Sequence, residues 1–456
     1  SVLKYFSVIS KSEENLMKKV LLISYNFPPI AGAGIQRILK FVKYLPHHNI
    51  TPIVFCPKRA YWRVMDDHNL ELPYLKKTRI YRCGIKRLDR YYRLRYGRGL
   101  QSHPYFYLLA LRYIWHMDYF SSWYFECRDQ ALAVAIEEKV DCILTSSPPH
   151  SVHFFGNYLK AKLNIPWLMD LRDAMYDNPD RNLSKLSSRF AACMEGFYEK
   201  RFYHTADAII SVSKPILDSI YDRHFVPGFE SKMNLITNGF DDEDFDTTER
   251  QKKENNKLVI TYTGTFLGKR TPEHFLEALS ILCFRKEINS TDILVQFIGH
   301  FDENVCSVIQ NYSTTFTIKI IDHQPYEKAL AYQLSSDILL LVNSTDKAEG
   351  GDQIFTGKFF EYLGALKPIF ALTPDGPLKH AIETGNFGIV APARDIEAIA
   401  KQFKRLYDLW KTKSHIPYNP DMKLRSSFTR KETTKKLAEL IQRITETKRT
   451  KSVPRE

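Results

Sequence analysis

The chain has no Cys-x-x-Cys pair. Its seven cysteines (Cys56, Cys83, Cys127, Cys142, Cys193, Cys283 and Cys306) are scattered and odd in number. That pattern suggests neither a disulfide framework nor a zinc site, and reads as small buried hydrophobes in a reducing compartment. Long hydrophobic runs are also missing. The longest, 105–120, contains Arg112 and His116 and falls short of the ~20 residues a membrane helix needs. Val20 to Ile23 is too short for a signal-peptide core. A spanning protein is therefore not expected. Repeats and low-complexity tracts are absent too, which excludes solenoids. Acidic residues are in deficit: 65 Lys+Arg stand against 52 Asp+Glu, a net +13. Such a balance favours phosphates, anionic lipid or nucleic acid as partners, without choosing among them.

What is present suits a globular α/β protein. An apolar fraction of 44% over 456 residues supplies two sizeable cores. Met17-Lys-Lys-Val20 reads like a natural start, leaving 1–16 as an N-terminal extension. Short β-branched runs then alternate with amphipathic segments, the grammar of βαβ units. Strands are predicted at Val20–Ser24, Thr51–Cys56, Cys142–Ser146, Pro166–Asp170 and Ala208–Val212. A polar stretch within 246–257 reads as a linker, taken as 248–257. The pattern restarts with strands at Leu258–Thr263, Ile293–Ile298, Phe316–Ile321, Ile338–Val342 and Pro368–Leu372. Helices are expected at Ile35–Leu45, Thr271–Phe284, Phe359–Leu366 and Ile396–Leu409, and a basic amphipathic helix at Thr429–Thr447. The expected plan is a first domain over 17–247, a second over 258–428, and a separate basic tail over 429–456.

Open parallel sheets bind ligands at the carboxyl ends of their strands, and the chemistry-bearing motifs sit there. Pro28-Pro-Ile-Ala-Gly32-Ala-Gly34-Ile-Gln-Arg37 joins a strand to a helix, where glycines let backbone N–H groups approach a phosphate. Arg37 occupies the place of the third glycine of a dinucleotide fingerprint. No acidic residue ends the second strand, where Cys56-Pro57 stands. Both departures weigh against a dinucleotide-dependent oxidoreductase. Ser146-Ser-Pro-Pro-His150 follows another strand. Asp170-Leu-Arg172-Asp173 puts three charges at the end of an apolar strand, which must pair or face a cleft; an ion pair between Arg172 and one Asp is the structural alternative. Gly264-Thr-Phe-Leu-Gly-Lys269-Arg270 sets adjacent cations in a glycine loop. In Asp352-Gln353-Ile-Phe-Thr356-Gly-Lys358-Phe-Phe-Glu361, Thr356 is placed to cap a helix on which Lys358 and Glu361 share a face. A carboxylate there accepts both hydroxyls of a ribose, and the lysine meets its phosphates.

The order and spacing of these motifs over 18–428 resemble the retaining glycosyltransferases of the GT-B fold, family 4. The resemblance implies two Rossmann-like domains whose parallel sheets face a central cleft. It implies a nucleotide-sugar donor, a saccharide or lipid-linked acceptor, and no metal or other cofactor. Carried over, His150, Asp173 and Arg270 are the catalytic candidates. Gly32, Gly34, Gly264, Lys269, Arg270, Gln353, Lys358 and Glu361 are the donor-binding ones, and Arg37, Asp170 and Arg172 lie on the acceptor side. The family's Glu-x7-Glu keeps its second glutamate as Glu361, while Gln353 replaces the first.

A basic-aromatic stretch within 86–125 interleaves Lys and Arg with Tyr and Trp. That composition suits an anionic membrane surface and would suit single-stranded nucleic acid. The expectation is a cytoplasmic enzyme, peripheral on the inner face of the plasma membrane, with no nucleic-acid partner. The competing readings are a nucleotide-sugar epimerase of the same architecture and an RNA-binding or scaffold protein. The latter leaves Arg270, Lys358 and Glu361 unexplained.

Overall fold

The computed structural model describes residues 17–30, 33–59, 72–86, 118, 120–176, 186–225, 227–249, 256–266, 270–343 and 355–452. It divides into two compact units: 1–237 together with 430–456, and 238–429.

Unit 1 opens with β1 (Lys18–Ser24), helix α1 (Gln36–Tyr44), β2 (Ile50–Pro57) and β3 (Arg79–Cys83). Helix α2 (Ser121–Glu137), β4 (Cys142–Ser147), α3 (His153–Leu163) and β5 (Trp167–Leu171) follow. Then come α4 (Leu186–Thr205), β6 (Ala208–Ser211), α5 (Lys214–His224) and β7 (Met233–Leu235). The strands form one parallel sheet in the order β3-β2-β1-β4-β5-β6-β7. Residues alternate between its two faces, as period-two geometry requires. Leu21 and Ile23 of β1 enter one core with Ile53, Phe55 and Trp123, while Val20 and Leu22 enter the other with Ile38, Leu39 and Val54. Both faces are covered, so the interior strands read as largely apolar runs.

Unit 2 repeats the plan. Its strands are β8 (Leu258–Thr263), β9 (Ile293–Ile298), β10 (Thr317–Ile321), β11 (Ile338–Val342), β12 (Ile369–Leu372) and β13 (Gly388–Ala391). They run parallel in the order β10-β9-β8-β11-β12-β13. Helices α6 (Glu273–Phe284) and α7 (Gly357–Ala365) follow β8 and β11 in the chain. Leu258, Ile260 and Tyr262 enter one core, and Leu339 and Leu341 the other.

The final helix, α8 (Arg430–Ser452), corrects the expected domain plan. It is not a separate tail. Leu437, Ala438, Leu440 and Ile441 are buried in the unit 1 core beside Ile38, Phe41 and Leu45. Lys18 at the start of β1 donates to the Gln442 carbonyl at 3.2 Å and to Thr445 Oγ1 at 2.7 Å. The chain changes unit at Thr237–Asn238, before the polar stretch expected to be the linker. Helix Asp242–Asp246 belongs to unit 2, where Phe245 is buried against Leu363 and Phe360.

The cysteine reading is corrected as well. Cys83, closing β3, and Cys127 on α2 form a disulfide, with Cα atoms 6.0 Å apart. Spacing along a chain does not report such a pairing, because the fold alone brings the two positions together. Cys56 and Cys142 are buried, as expected; burial raises both thiols, Cys56 to about 12.

Candidate functional site

In unit 2 the site is built at the carboxyl end of β8. Gly264 follows the strand at φ +109, a left-handed backbone that side chains rarely tolerate. Space forbids a side chain there too: a Cβ would come 2.6 Å from Cε of Lys358. The glycine thus lets the lysine stem from α7 lie directly on the loop. Lys358 Nζ donates to the Thr265 carbonyl at 3.3 Å and lies 5.1 Å from the Tyr262 ring centre. Tyr262 stacks on Phe266 at 4.1 Å, and its hydroxyl donates to the same Thr265 carbonyl. The far end of α7 is pinned by Tyr362, whose hydroxyl accepts from Thr263 N and donates to the Leu340 carbonyl. Strand, loop and helix are therefore fixed to one another around the lysine.

The charges converge on that lysine. Burial and the nearby Arg270 cation pull its pKa down to about 8, and the Glu361 carboxylate acts the other way. Lys358, Glu361 and Arg270 are all half-buried. Thr356 stands at the N-cap of α7, as expected, yet its hydroxyl makes no capping bond. The first-turn N–H groups are thus not consumed by that side chain. Two cations and one carboxylate beside a helix N-terminus suit a diphosphate joined to a ribose. Lys269 and Gln353, with Asp352, lie outside the described residues.

Unit 1 places its expected residues in two layers. Arg37 and Asp170 are buried against each other. Arg37 Nε and Nη2 fork onto the carboxylate at 2.8–3.2 Å, and its Nη1 and Nη2 also donate to the Thr237 and Ile236 carbonyls. Ser146 Oγ adds a further donor to Asp170 Oδ2 at 2.7 Å. The acceptor-side role expected of this pair therefore moves one step back: every polar atom is turned inward, so the pair supports the sheet end. Asp170, the first carboxylate of Asp170–Arg172–Asp173, pairs with Arg37 from the helix after β1. Arg172 grips backbone, donating to the carbonyls of Ser147, Pro148 and Gly34. It thereby ties the loops after β1 and β4 to the loop after β5. Asp173 is exposed beside it. His150 is buried, its Nδ1 3.1 Å from Ser147 Oγ. His153, one turn on, has its Nδ1 2.8 Å from Thr145 Oγ1; burial first, then His150, hold its pKa well below the ordinary value. Gly32 lies outside the described residues.

Two supporting carboxylates were not legible in the sequence. Asp118 accepts from the backbone N–H of Ser121 and of Ser151, and so joins the start of α2 to the His150 loop. Burial pushes its carboxyl up to about 6. Glu199, fully buried on α4, accepts from Tyr176 N, Arg223 and His224 and so steadies the loop that carries Asp173. Their long-range partners lie at least 23 residues away in the chain.

No protein-family model matches the chain, and no curated protein sequence matches it. Solved structures do match in fold. An α,α-trehalose-phosphate synthase (UDP-forming) from Burkholderia xenovorans, in complex with glucose-6-phosphate, aligns with a TM-score of 0.62 at 10% identity, over 93% of this chain and 100% of that one. Anabaena HepE, in complex with UDP and glucose, aligns with a TM-score of 0.58 at 12% identity, over 93% and 100%. The UDP-GlcNAc 2-epimerase of Methanocaldococcus jannaschii aligns with a TM-score of 0.52 at 12% identity, over 94% and 100%. Together with the two parallel sheets, these likenesses show an α/β, two-domain Rossmann-like GT-B fold.

Proposed function

We propose that the chain is a glycosyltransferase that moves a sugar from a nucleotide-sugar donor to a saccharide acceptor. The observation that carries this is the meeting of Gly264, Lys358, Glu361 and Arg270 at one strand end of unit 2. Glu361 would accept the two ribose hydroxyls. Lys358 and Arg270 would meet the diphosphate, whose negative charge grows as the glycosidic bond breaks. Stabilising that charge is the chemical demand of the step, and two fixed cations meet it without a metal. Solved GT-B proteins with UDP or a sugar bound, HepE among them, support the same use of the fold.

Unit 1 would hold the acceptor, with His150 and Asp173 nearest the transferred sugar. The family resemblance implies retention of anomeric configuration. No covalent nucleophile is assigned; front-face attack needs orientation and charge stabilisation. The +13 charge and the basic-aromatic stretch support a lipid-linked acceptor at the inner face of the plasma membrane. No helix among the described residues is long and apolar enough to cross a membrane. The second reading is an epimerase, favoured by the 2-epimerase likeness. It differs in one product: an epimerase isomerises the donor with no acceptor present.

Thermal unfolding with EDTA tests the proposal, against UDP-, GDP-, ADP- and CMP-sugars, NAD and RNA. A ligand at ~100 times its dissociation constant adds about 2.7 kcal/mol. One nucleotide-sugar class is expected to stabilise the chain, and Glu361→Ala to abolish the shift. Stabilisation by NAD or RNA alone overturns the reading. Isomerised donor without acceptor selects the epimerase.

A further inference from the structure

Helix α4 turns an uncommon face outward. Among its described side chains the exposed positions are Arg189, Cys193, Phe197, Lys200, Arg201 and His204. They recur at helical spacing and so form one stripe. No carboxylate lies on it. The helix has two acidic residues, Glu195 and Glu199, and both are buried.

Aromatic surface accompanies the charge. Phe197 is 68% exposed, Phe225 53% and Tyr176 46%. Tyr176 adjoins both of the segments that carry the phenylalanines. Tyr176 lies over Gly196, where a Cβ would come 3.0 Å from its Cδ2. The Arg223 guanidinium lies 5.6 Å from the Tyr176 ring centre, and Phe225 stands two residues further along. Phe225 packs edge-on against Tyr221 at 5.1 Å. On α5, Asp218 is paired with Lys214, and Asp222 is the one other carboxylate, exposed beside Arg223. Buried Glu199 holds Arg223, His224 and the Tyr176 backbone together. The patch is therefore built on a fixed base.

We propose that this face of unit 1 docks on an anionic lipid surface. Arg189, Lys200 and Arg201 would meet headgroup phosphates, and Phe197 and Phe225 would enter the headgroup–acyl boundary. Cations alone would suit any polyanion. Protruding phenylalanines need an apolar phase to enter, and a bilayer offers both at the right depth. The purpose of docking rests on the proposed membrane-side acceptor; the surface itself is argued from residues 176–225 alone.

The test uses the full chain with Phe197→Trp as a local reporter, read against the wild-type spectrum. Vesicles are phosphatidylcholine alone, or with about one part in three phosphatidylglycerol. A blue shift and protection from aqueous quencher on the anionic vesicles only is expected. Arg189→Gln, Lys200→Gln and Arg201→Gln combined should weaken binding about 100-fold, from about fivefold per charge. Phe197→Ala with Phe225→Ala should weaken it at every salt concentration, with an unchanged melting temperature, since both side chains are exposed. An unshifted reporter overturns the proposal, even if the chain still sediments with vesicles through another surface. So does an equal shift with single-stranded RNA. Nucleotide-sugar stabilisation measured on the same sample keeps the two readings apart: its survival beside an unshifted reporter removes only the docking face.

Discussion

Both units bring cations and a carboxylate to the carboxyl end of a parallel sheet, and they use them in opposite ways. In unit 1, Arg37 and Asp170 are buried and saturate each other with help from Ser146, Ile236 and Thr237. In unit 2, Lys358, Arg270 and Glu361 stay half-buried, and burial lowers the lysine's pKa. A fully buried charge pair orders the chain around it; half-buried charges at a strand end stay within reach of solvent and so of a ligand. Both places combine cations with a carboxylate, so the distinction lies in how deeply each group is buried.

The sharpest way to break the comparison is to remove one partner from each site. Asp170→Ala leaves a buried, uncompensated guanidinium and should cost about 3–5 kcal/mol in urea unfolding. Glu361→Ala should change stability by less than about 1 kcal/mol while eliminating donor binding in calorimetry. Equal stability losses would show that both sites are structural. Next in size is the disulfide, which closes a segment of sequence separation 44 in unit 1. Chain entropy for such a loop gives about 4 kcal/mol as an upper expectation and about 2 kcal/mol once denatured-state structure is counted. Dithiothreitol should therefore lower protection of β1 and β4 in hydrogen exchange and leave β8 and β11 unchanged.

A smaller effect is expected at Gly264. Alanine there meets both the φ +109 backbone and Lys358. Strain of about 1–3 kcal/mol should appear as about 10- to 100-fold weaker donor binding. Unaltered affinity would mean that the lysine does not reach the phosphate from its observed position. The gentlest probe is pH. The folded pKa of Lys358, about 8, lies below the ordinary lysine value of 10.5. Between these values the unfolded chain binds more protons, so stability rises with pH across the window. The penalty is fully present below about 8 and gone above 10.5. Lys358→Met should flatten that rise, and donor affinity in the wild type should fall as the free lysine deprotonates.

How far these features were legible follows from where each lies. Interior strands such as β1, β4, β8 and β11 are covered on both faces, so their apolar runs stand out. The strands that sequence reading passed over, β3, β7 and β13, all lie at sheet edges. Their residues are mostly half-buried or exposed, which removes the contrast on which recognition depends. Lys358 and Glu361 were legible because one helical turn brings them together. The Arg37–Asp170 pair spans 133 positions, and nothing local distinguishes it from a ligand-facing group.

The return of α8 to unit 1 has a consequence for synthesis on the ribosome. Lys18 waits for a partner 427 residues later, and the space filled by Leu437 and Ile441 stays unfilled until α8 emerges. All of 238–429 is made in the meantime, so unit 2 has its whole sequence available first. A nascent chain stalled before 430 should hold a finished second half and an unfinished first half, with apolar surface near Ile38 and Leu45 open to chaperones. The order of assembly is the reverse of the order of translation.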